Sequence, residues 1–430
     1  MFDSQALTKI QSIILVAIIA VAAVGGGTAY VLWSGDSQSS DAIKIGVLTD
    51  LDGQYKEVYQ SVILAAEQIN AEGGLLGRHI EVIGEDNDGG FDPVLTTNAL
   101  TKLITSDNVD FIIGTADLTV QEIIAQHKKV FISVLGVPEM CEQRVLDDYD
   151  KYKYYFTVGF NESSTFQGIT NSLEGLRQKT GFNKICYIGE DLGLIQGIMT
   201  GLDSYLPQNG FELVYKGKFP LETVDFSSYF AQAEAAGAEA MITLIATDLG
   251  VPFVKEYSDR QSPIFLFGGF LISTSFPESY DWTDGKCEDT YTATSPTCAG
   301  FAFTDKTLST REAFIDRWGE APYVANGYDA LRFILADAIE RAGTIETDAV
   351  VEALEQTSVE TANARNFVFT SSHGVMMGID PNDPEADYMI SLGFEWQNGE
   401  LVPVDPIKIM EEAGAFYTFP DWAGPWDNIS

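Results

Sequence analysis

The feature that most constrains this fold is a repeated alternation of short apolar runs with amphipathic helical stretches. "IKIGVL" (residues 43–48) predicts a strand, and residues 57–71 then place Val58, Val62 and Ile69 on one helical stripe. "HIEVIGED", "VDFIIG" and "KVFISV" continue the strand pattern, with helical patterns over residues 93–106 and from about Thr119. Continuous Val, Ile and Phe strands that alternate with helices are typical of parallel sheets covered on both faces.

A second series of the same kind follows "YKYYFTVGF" (residues 152–160). "KICYIG", "FELVYKG", "EAMITLIA" and "PIFLFGG" read as strands with helices between them, and "QNGE" reads as a hairpin turn. Three helical patterns, "TREAFIDRWG", "NGYDALRFILADAIERAG" and "TDAVVEALEQT", have no strands between them, so we expect them to cover an existing sheet. The sequence therefore predicts an α/β protein with two sheets.

The end of the first helix is marked by glycines. In "INAEGGLLGRHIEV", Gly73 and Gly74 can adopt the left-handed conformation that ends a helix, and Leu75 or Leu76 can pack back on its last turn. This turn lies at the amino-terminal edge of the predicted sheet, away from the edge at which ligands of such sheets bind.

Charge and composition exclude several functions. The chain has 430 residues, 45% of them apolar, with 63 acidic against 25 basic residues and a net charge of −38. Such a surface repels phosphate backbones, so nucleic-acid binding is excluded. We find no Walker A motif, no G-x-S-x-G and no metal-spaced His and Cys, which predicts neither enzymatic activity nor a cofactor or metal.

Residues 1–34 contain one membrane-like segment. Ile13 to Trp33 carries no charge over 21 residues, enough to cross a hydrocarbon layer of about 30 Å. We favour an uncleaved N-terminal transmembrane helix that leaves the body outside the cell; a cleaved signal remains open because Gly25 to Ala29 are small. Residues 35–41 read as a flexible spacer.

The four cysteines suggest one disulfide. Cys287 and Cys298 bracket the polar stretch "CEDTYTATSPTC", and outside the cell such a pair is expected to form a bridge. Cys186 lies in an apolar strand pattern and reads as a small buried hydrophobic residue, and Cys141 has no assignment.

Four segments carry a family resemblance. "IKIGVL", "AAEQINAEGGLLGRHIEVIGEDND", "VDFIIG" and "PYVANGYDALRFILADAIERAG", in this order, resemble the class I extracellular solute-binding proteins of ABC importers, most of all the branched-chain amino-acid-binding subfamily. The resemblance covers residues 42–406. It implies a bilobal Venus-flytrap fold with three crossovers, near residues 157–161, 299–304 and 366–370. Lobe I would comprise residues 42–158 and 302–367, lobe II residues 159–300 and 368–406, and residues 407–430 would form a tail.

The resemblance also implies where ligand contacts lie. In lobe I they come from "TDLDGQY", "GTADLTVQ" and "VLGVPE", which supply Gln54, Tyr55, Asp117, Thr119, Gly136 and Val137. Thr119, at the start of a helix, is the candidate for binding a ligand carboxylate. The alternative is a purely structural role, because "TVQE" also fits a capping box.

In lobe II the implied contacts are Asp191, Thr247, Asp248 and Phe270, from "GEDLG", "ATDLG" and "FGGF". Asp191 and Asp248 read either as helix N-caps or as partners of a ligand ammonium. Gly269 and Phe270 stand where amino-acid binders of the family commonly have an acidic residue, which disfavours a zwitterion. Tyr323 is an aromatic candidate, and Asn161 at the first crossover reads as a structural or ligand-facing residue.

The function implied is that of a solute-binding subunit. It would capture an amino acid or small amide-like solute outside the membrane and deliver it to permease and ATPase subunits of an ABC importer. The alternative is a ligand sensor or surface-associated scaffold with the same fold.

Overall fold

The computed structural model describes residues 42–53, 55–90, 92–115, 117–136, 138–380 and 383–422. These residues belong to one compact unit, Gly35–Ser430. The predicted membrane segment, the spacer and residues 423–430 lie outside the described residues. Among the residues described, none of the helices has both the length and the apolarity needed to cross a membrane.

The first sheet is parallel and has the strand order β2-β1-β3-β4-β5. Its elements, in chain order, are β1 Ile43–Thr49, α1 Lys56–Ala71, β2 Ile80–Asp86, α2 Pro93–Thr105, β3 Phe111–Gly114, α3 Leu118–His127, β4 Phe131–Ser133, α4 Glu139–Asp147, α5 Tyr149–Tyr152 and β5 Tyr155–Thr157. Successive side chains of a strand point to opposite faces, and here both faces carry buried apolar clusters. The predicted alternation of strands and helices is confirmed.

The glycine turn after α1 has the expected form. Gly73 and Gly74 have φ values of 111° and 80°, and the Gly74 N–H donates to the Ile69 carbonyl at 2.9 Å. Leu75 is 1% exposed and packs with the helix in the core. Left-handed backbone suits glycine, so this helix ends where the sequence predicts.

The second sheet has seven strands in the order β16-β15-β10-β9-β8-β6-β7. Its first elements are α6 Glu162–Thr180, β6 Lys184–Glu190, α7 Gly193–Gln208, β7 Glu212–Phe219, α8 Ser227–Ala235, β8 Ala240–Ile245, α9 Gly250–Arg260, β9 Phe265–Leu271, α10 Ser279–Trp282, β10 Tyr291–Ala293 and α11 Pro296–Ala299. β6 to β10 pair in parallel. Large buried clusters again cover the two faces.

The chain then returns to the first sheet with helices. These are α12 Thr307–Trp318, α13 Asn326–Asp329, a π-helical turn Ala330–Leu335, α14 Ala336–Ala342 and α15 Thr347–Glu355. Leu331, Ile339 and Leu354 are fully buried in the cluster that contains β1 and α1. As predicted, these helices cover an existing sheet.

The third crossing occurs later than predicted. After β11 Ser358–Val359 and β12 Phe367–Val368, Phe369 and Met389 still pack in the first sheet's core. His373 stacks on Phe156 of β5 with ring centroids 4.0 Å apart, and its carbonyl accepts the N–H of Thr157 in the same strand at 3.0 Å. The chain therefore leaves the first sheet after Met389, because these apolar and aromatic contacts hold Phe369, His373 and Met389 there.

The last strands complete the second sheet. After the short pair β13 Ile379–Asp380 and β14 Asp383–Asp387, β15 Gly393–Gln397 and β16 Glu400–Asp405 form an antiparallel hairpin. Asn398 and Gly399 have φ values of 56° and 78°, which confirms the predicted "QNGE" turn. Helix α16 Ile407–Ala413 follows, and Tyr417, 5% exposed, packs in the second sheet's core, so the predicted tail is part of the folded body up to residue 422.

The predicted Cys287–Cys298 disulfide is wrong. All four cysteines are free and buried. Strand β10 lies between Cys287 and Cys298 in the chain, and the two thiols have different surroundings. The Cys287 thiol packs in the core of one face of the sheet, whereas the Cys298 Sγ lies 3.3 Å from the Ser275 carbonyl. Cys186 is fully buried in a core cluster, which confirms its interpretation as a small hydrophobic residue.

Candidate functional site

A cavity of about 310 Å³ lies between the part of the molecule built on the first sheet, here called the first half, and the part built on the second sheet, the second half. From the first half it is lined by the start of α1, by α12 and by the segment before α13; from the second half it is lined by the segment between β9 and α10. The lining residues are Gly53, Lys56, Glu57, Gln60, Phe314, Glu320, Ala321 and Tyr323 on one side and Phe276, Pro277, Glu278 and Trp282 on the other.

Glu57 shapes one wall of this cavity. It lies in the first turn of α1, and its carboxylate accepts backbone N–H groups from Tyr323, Val324 (3.2 Å) and Ala325 (2.7 Å). Burial raises the pKa of Glu57 above its usual value, and these three N–H donors act in the opposite direction. The residue thus ties α1 to a segment that lies more than 260 residues later in the chain.

Tyr323 connects the two halves. Its ring stacks on Phe276 with centroids 4.2 Å apart and planes at 24°, and its carbonyl accepts a hydrogen bond from the Ser295 hydroxyl at 2.5 Å. Burial raises the pKa of the Tyr323 hydroxyl, and the neighbouring Tyr55 contributes to this shift. Tyr323, an aromatic candidate from the sequence, therefore lies in the cavity wall.

The rest of the lining is aromatic and acidic. Trp282 lies at the cavity and is 43% exposed, with its ring centroid 5.4 Å from that of Phe276. Lys56 pairs with Glu320 at 3.0 Å. Burial raises the pKa of Glu278, and the charge of Glu320 adds to this effect while Lys56 opposes it. The Gln60 Oε1 is buried and has no hydrogen-bond partner among the described residues.

Among the polar residues predicted in the first half, Asp117 has a backbone-capping role. Asp117, and not Thr119, is the N-cap of α3: its Oδ1 accepts the N–H groups of Thr119 (2.8 Å) and Val120 (2.9 Å). Thr119 lies inside the helix and is exposed, so the predicted "TVQE" capping box is wrong. Gly136 is exposed near the end of β4. Gln54 and Val137 lie outside the described residues.

Asn161 has a structural role. It is the N-cap of α6 and forms a capping box with Ser164, and its side-chain amide donates to the Glu142 Oε1 at 2.7 Å. This bond joins α6 of the second half to α4 of the first half at the first crossover.

The predicted residues of the second half lie at the carboxyl ends of its strands but do not line the cavity. Neither Asp191 nor Asp248 is an N-cap, because Leu192 and Leu249 occupy those positions. Asp191 is exposed, pairs with Lys218 at 3.1 Å and accepts from Gln196 at 2.6 Å. Asp248 is exposed, and Phe270 packs partly buried against the core.

Thr247 is held by a buried carboxylate that sequence reasoning missed. Glu190 is fully buried at the end of β6; it accepts the Ala246 N–H at 2.8 Å, and the Thr247 hydroxyl donates to its other oxygen. Glu190 therefore fixes the shape of the "ATDLG" loop. In the sequence, Glu190 stands directly before "DLG" at the end of a predicted strand, and this position could have identified it as a site residue.

A comparable polar pair lies at the carboxyl edge of the first sheet. The Asn87 amide donates to the Thr115 hydroxyl at 2.8 Å, and both residues are buried. The Asn87 Oδ1 has no partner among the described residues. In the part of the chain that the structure describes, no group of three or more His, Cys, Asp or Glu side chains is arranged to hold a metal ion.

The two sheets, with parallel strands whose carboxyl-end loops carry these polar groups, define a bilobal α/β binding-protein fold. Comparisons with known proteins agree. The profile of the periplasmic binding protein family matches residues 42–379. The chain is 24% identical over 399 residues to Leu/Ile/Val-binding protein homolog 7 of Brucella abortus (strain 2308), covering 87% of this chain and 94% of that relative.

Solved structures show the same fold. A putative branched-chain amino acid ABC transporter protein from Silicibacter pomeroyi superposes with a TM-score of 0.73 at 18% identity, covering 89% of this chain and all of that one. The substrate-binding protein LivJ of Streptococcus pneumoniae, in complex with isoleucine, gives 0.67 at 17% identity, covering 85% and 100%.

This chain therefore belongs to the periplasmic binding protein family. The predicted resemblance is confirmed, and the family is one of solute-binding proteins and not of enzymes.

Proposed function

We propose that this protein is the extracytoplasmic solute-binding subunit of an ABC importer and that it captures a small amino acid or amide-like solute between its two lobes. The observation that carries the proposal is the cavity lined by residues from both halves of the molecule. A solute that contacts both halves favours their closed arrangement, because only differential affinity shifts such an equilibrium. The names of the relatives, which refer to branched-chain amino acids, support this solute class.

Residues 1–34 would hold the protein at the membrane as a retained helix, and the body would dock on permease and ATPase subunits. Thr119, Asp191, Thr247 and Asp248 do not line this cavity, and they remain proposed contacts for a solute that reaches the carboxyl ends of the strands. Of these, Asp248 gives the sharpest test: Asp248→Ala should weaken solute binding without changing stability, because its exposed side chain has no hydrogen bond to the described residues.

The proposed function is tested by thermal unfolding of the full chain in mild detergent with amino acids, urea and short amides. A solute that binds only the folded protein stabilises it by about 2.7 kcal/mol at a hundred times its dissociation constant. Uptake of the stabilising solute by cells with and without the gene then separates import from the alternative. Binding without loss of uptake would favour a ligand sensor or scaffold, and no binding of any small solute would contradict the proposal.

A further inference from the structure

We propose that the cavity selects a small organic cation, a protonated amine or guanidinium on a compact apolar body, and that recognition needs no ligand carboxylate. This inference rests on the proposed role as a solute-binding subunit, and for that cavity it replaces the amino acid or amide proposed above with a cationic solute. A volume of about 310 Å³ is at the lower end of ligand pockets and suits a small solute.

The aromatic walls are the first observation. Phe276 and Tyr323 stack at 4.2 Å, and Trp282 lies beside Phe276 at 5.4 Å. Trp282 lines this cavity and keeps 43% of its surface exposed, although tryptophan side chains in folded proteins are usually largely buried. Aromatic faces attract cations and also cover apolar groups, so this wall matches a cation with an apolar body.

The charge balance of the lining is the second observation. It holds three carboxylates, of Glu57, Glu278 and Glu320, against the single ammonium of Lys56. Lys56 is paired with Glu320, and the Glu57 oxygens are occupied by backbone N–H groups. Among the described residues Glu278 has no ion-pair partner, which leaves its carboxylate to a ligand.

A zwitterion fits this lining less well. Its carboxylate needs donors, and the one cation of the described lining, Lys56, already serves Glu320. Gly53, also in the lining, donates its N–H to the Asp50 carboxylate at 2.6 Å. The carboxylate would therefore meet Glu278 and Glu320 without compensation, which costs binding energy.

The test uses four probes built on one branched apolar body: 3-methylbutylamine (cation), leucine (zwitterion), 4-methylpentanamide (neutral) and 4-methylpentanoate (anion). Their dissociation constants for the full chain are measured by calorimetry. We expect the amine to bind at least about tenfold more tightly than leucine, and the anion not to bind. Glu278→Gln should weaken amine binding by about tenfold or more and leave amide binding unchanged.

Glu312→Gln, an exposed glutamate on α12, is the matched control and should leave amine binding unchanged. Trp282→Leu, which removes a partly exposed ring, gives a second variant in case Glu278→Gln unfolds, and it should also weaken amine binding. Leucine or amide binding without amine binding would overturn the inference and leave the proposed function standing. Amine binding that Glu278→Gln does not change would overturn it as well, whereas no binding by any solute would contradict both.

Discussion

The rings of Tyr323 and Phe276 stack face to face, 4.2 Å apart, and join the segment before α13 of the first half to the segment after β9 of the second half. The Glu57 carboxylate accepts the backbone N–H of Tyr323, and the Ser295 hydroxyl of the second half donates to the Tyr323 carbonyl. The contact between the halves at this cavity thus depends on the short segment around Tyr323, which hydrogen bonds with Glu57 and Ser295 hold in place.

Replacing Phe276 by leucine should weaken this contact. Phe276→Leu keeps most of the apolar volume but removes the stack, so we expect a loss of about 0.5–1.5 kcal/mol in the free energy of unfolding, measured with urea, together with weaker solute binding. Phe416→Leu, at a side chain that is 57% exposed, is the control and should change stability by less than about 0.5 kcal/mol. Equal effects of the two variants would show that the stack contributes nothing.

The free energy of unfolding should fall as pH rises from about 5 to 8, because a buried carboxyl in the second sheet stays protonated in the folded state. Burial raises the pKa of Glu395 from 4.5 to about 8, although Thr418 and Gln397 donate to it, and Asp289 adds to the increase. The folded state therefore holds more protons than the unfolded state in this window, and the free energy of unfolding decreases by up to about 1.4 kcal/mol per pH unit. Asp405, with a pKa of about 7, acts in the same direction.

Glu395→Gln, which mimics the protonated acid, should flatten this pH dependence and gain stability relative to the natural protein toward pH 8. Urea unfolding at several pH values measures the free energy of unfolding and its slope against pH. Glu400→Gln, on the exposed side of the same hairpin, should leave the slope unchanged. An unchanged slope in Glu395→Gln would mean that Glu395 is ionised throughout.

Asn161 should affect stability and not ligand affinity. Asn161→Ala removes the N-cap of α6 and the bond to Glu142, so we expect a loss of about 0.5–2 kcal/mol in urea unfolding. Asn161→Asp keeps the cap acceptor but places a second carboxylate against Glu142, so its cost should grow as pH rises and Glu142 ionises. A lowered ligand affinity in a stably folded variant would instead support the ligand-facing interpretation.

All cysteines should be reduced in the protein as purified. Unfolding in the absence of reductant, followed by alkylation and mass measurement, should add four labels, because Cys141, Cys186, Cys287 and Cys298 are free. In the native state labelling should be slow, since all four are buried and burial raises the pKa of Cys298 to about 12, well above neutral pH. If only two labels are added to the unfolded chain, two cysteines form a disulfide and the predicted bridge would be supported.

Local signals predicted the helices and strands well and the helix-capping residues poorly. The stop after α1 at Gly73 and Gly74 and the turn at Asn398 and Gly399 follow from backbone freedom that the sequence displays directly. The capping box predicted at Thr119 is wrong, because Asp117, of similar capping ability, stands two positions earlier and only the path of the chain selects between them.

Hydrophobic period and glycine position act within a few residues of the chain, so they were enough to predict the two sheets and their covering helices, and the resemblance of four segments indicated the family. Tertiary structure alone decided that Glu57 meets residues 323–325, that Phe276 meets Tyr323, and that β10 separates Cys287 from Cys298. These contacts join segments tens to hundreds of residues apart, and their energy depends on burial and orientation, which no local pattern encodes.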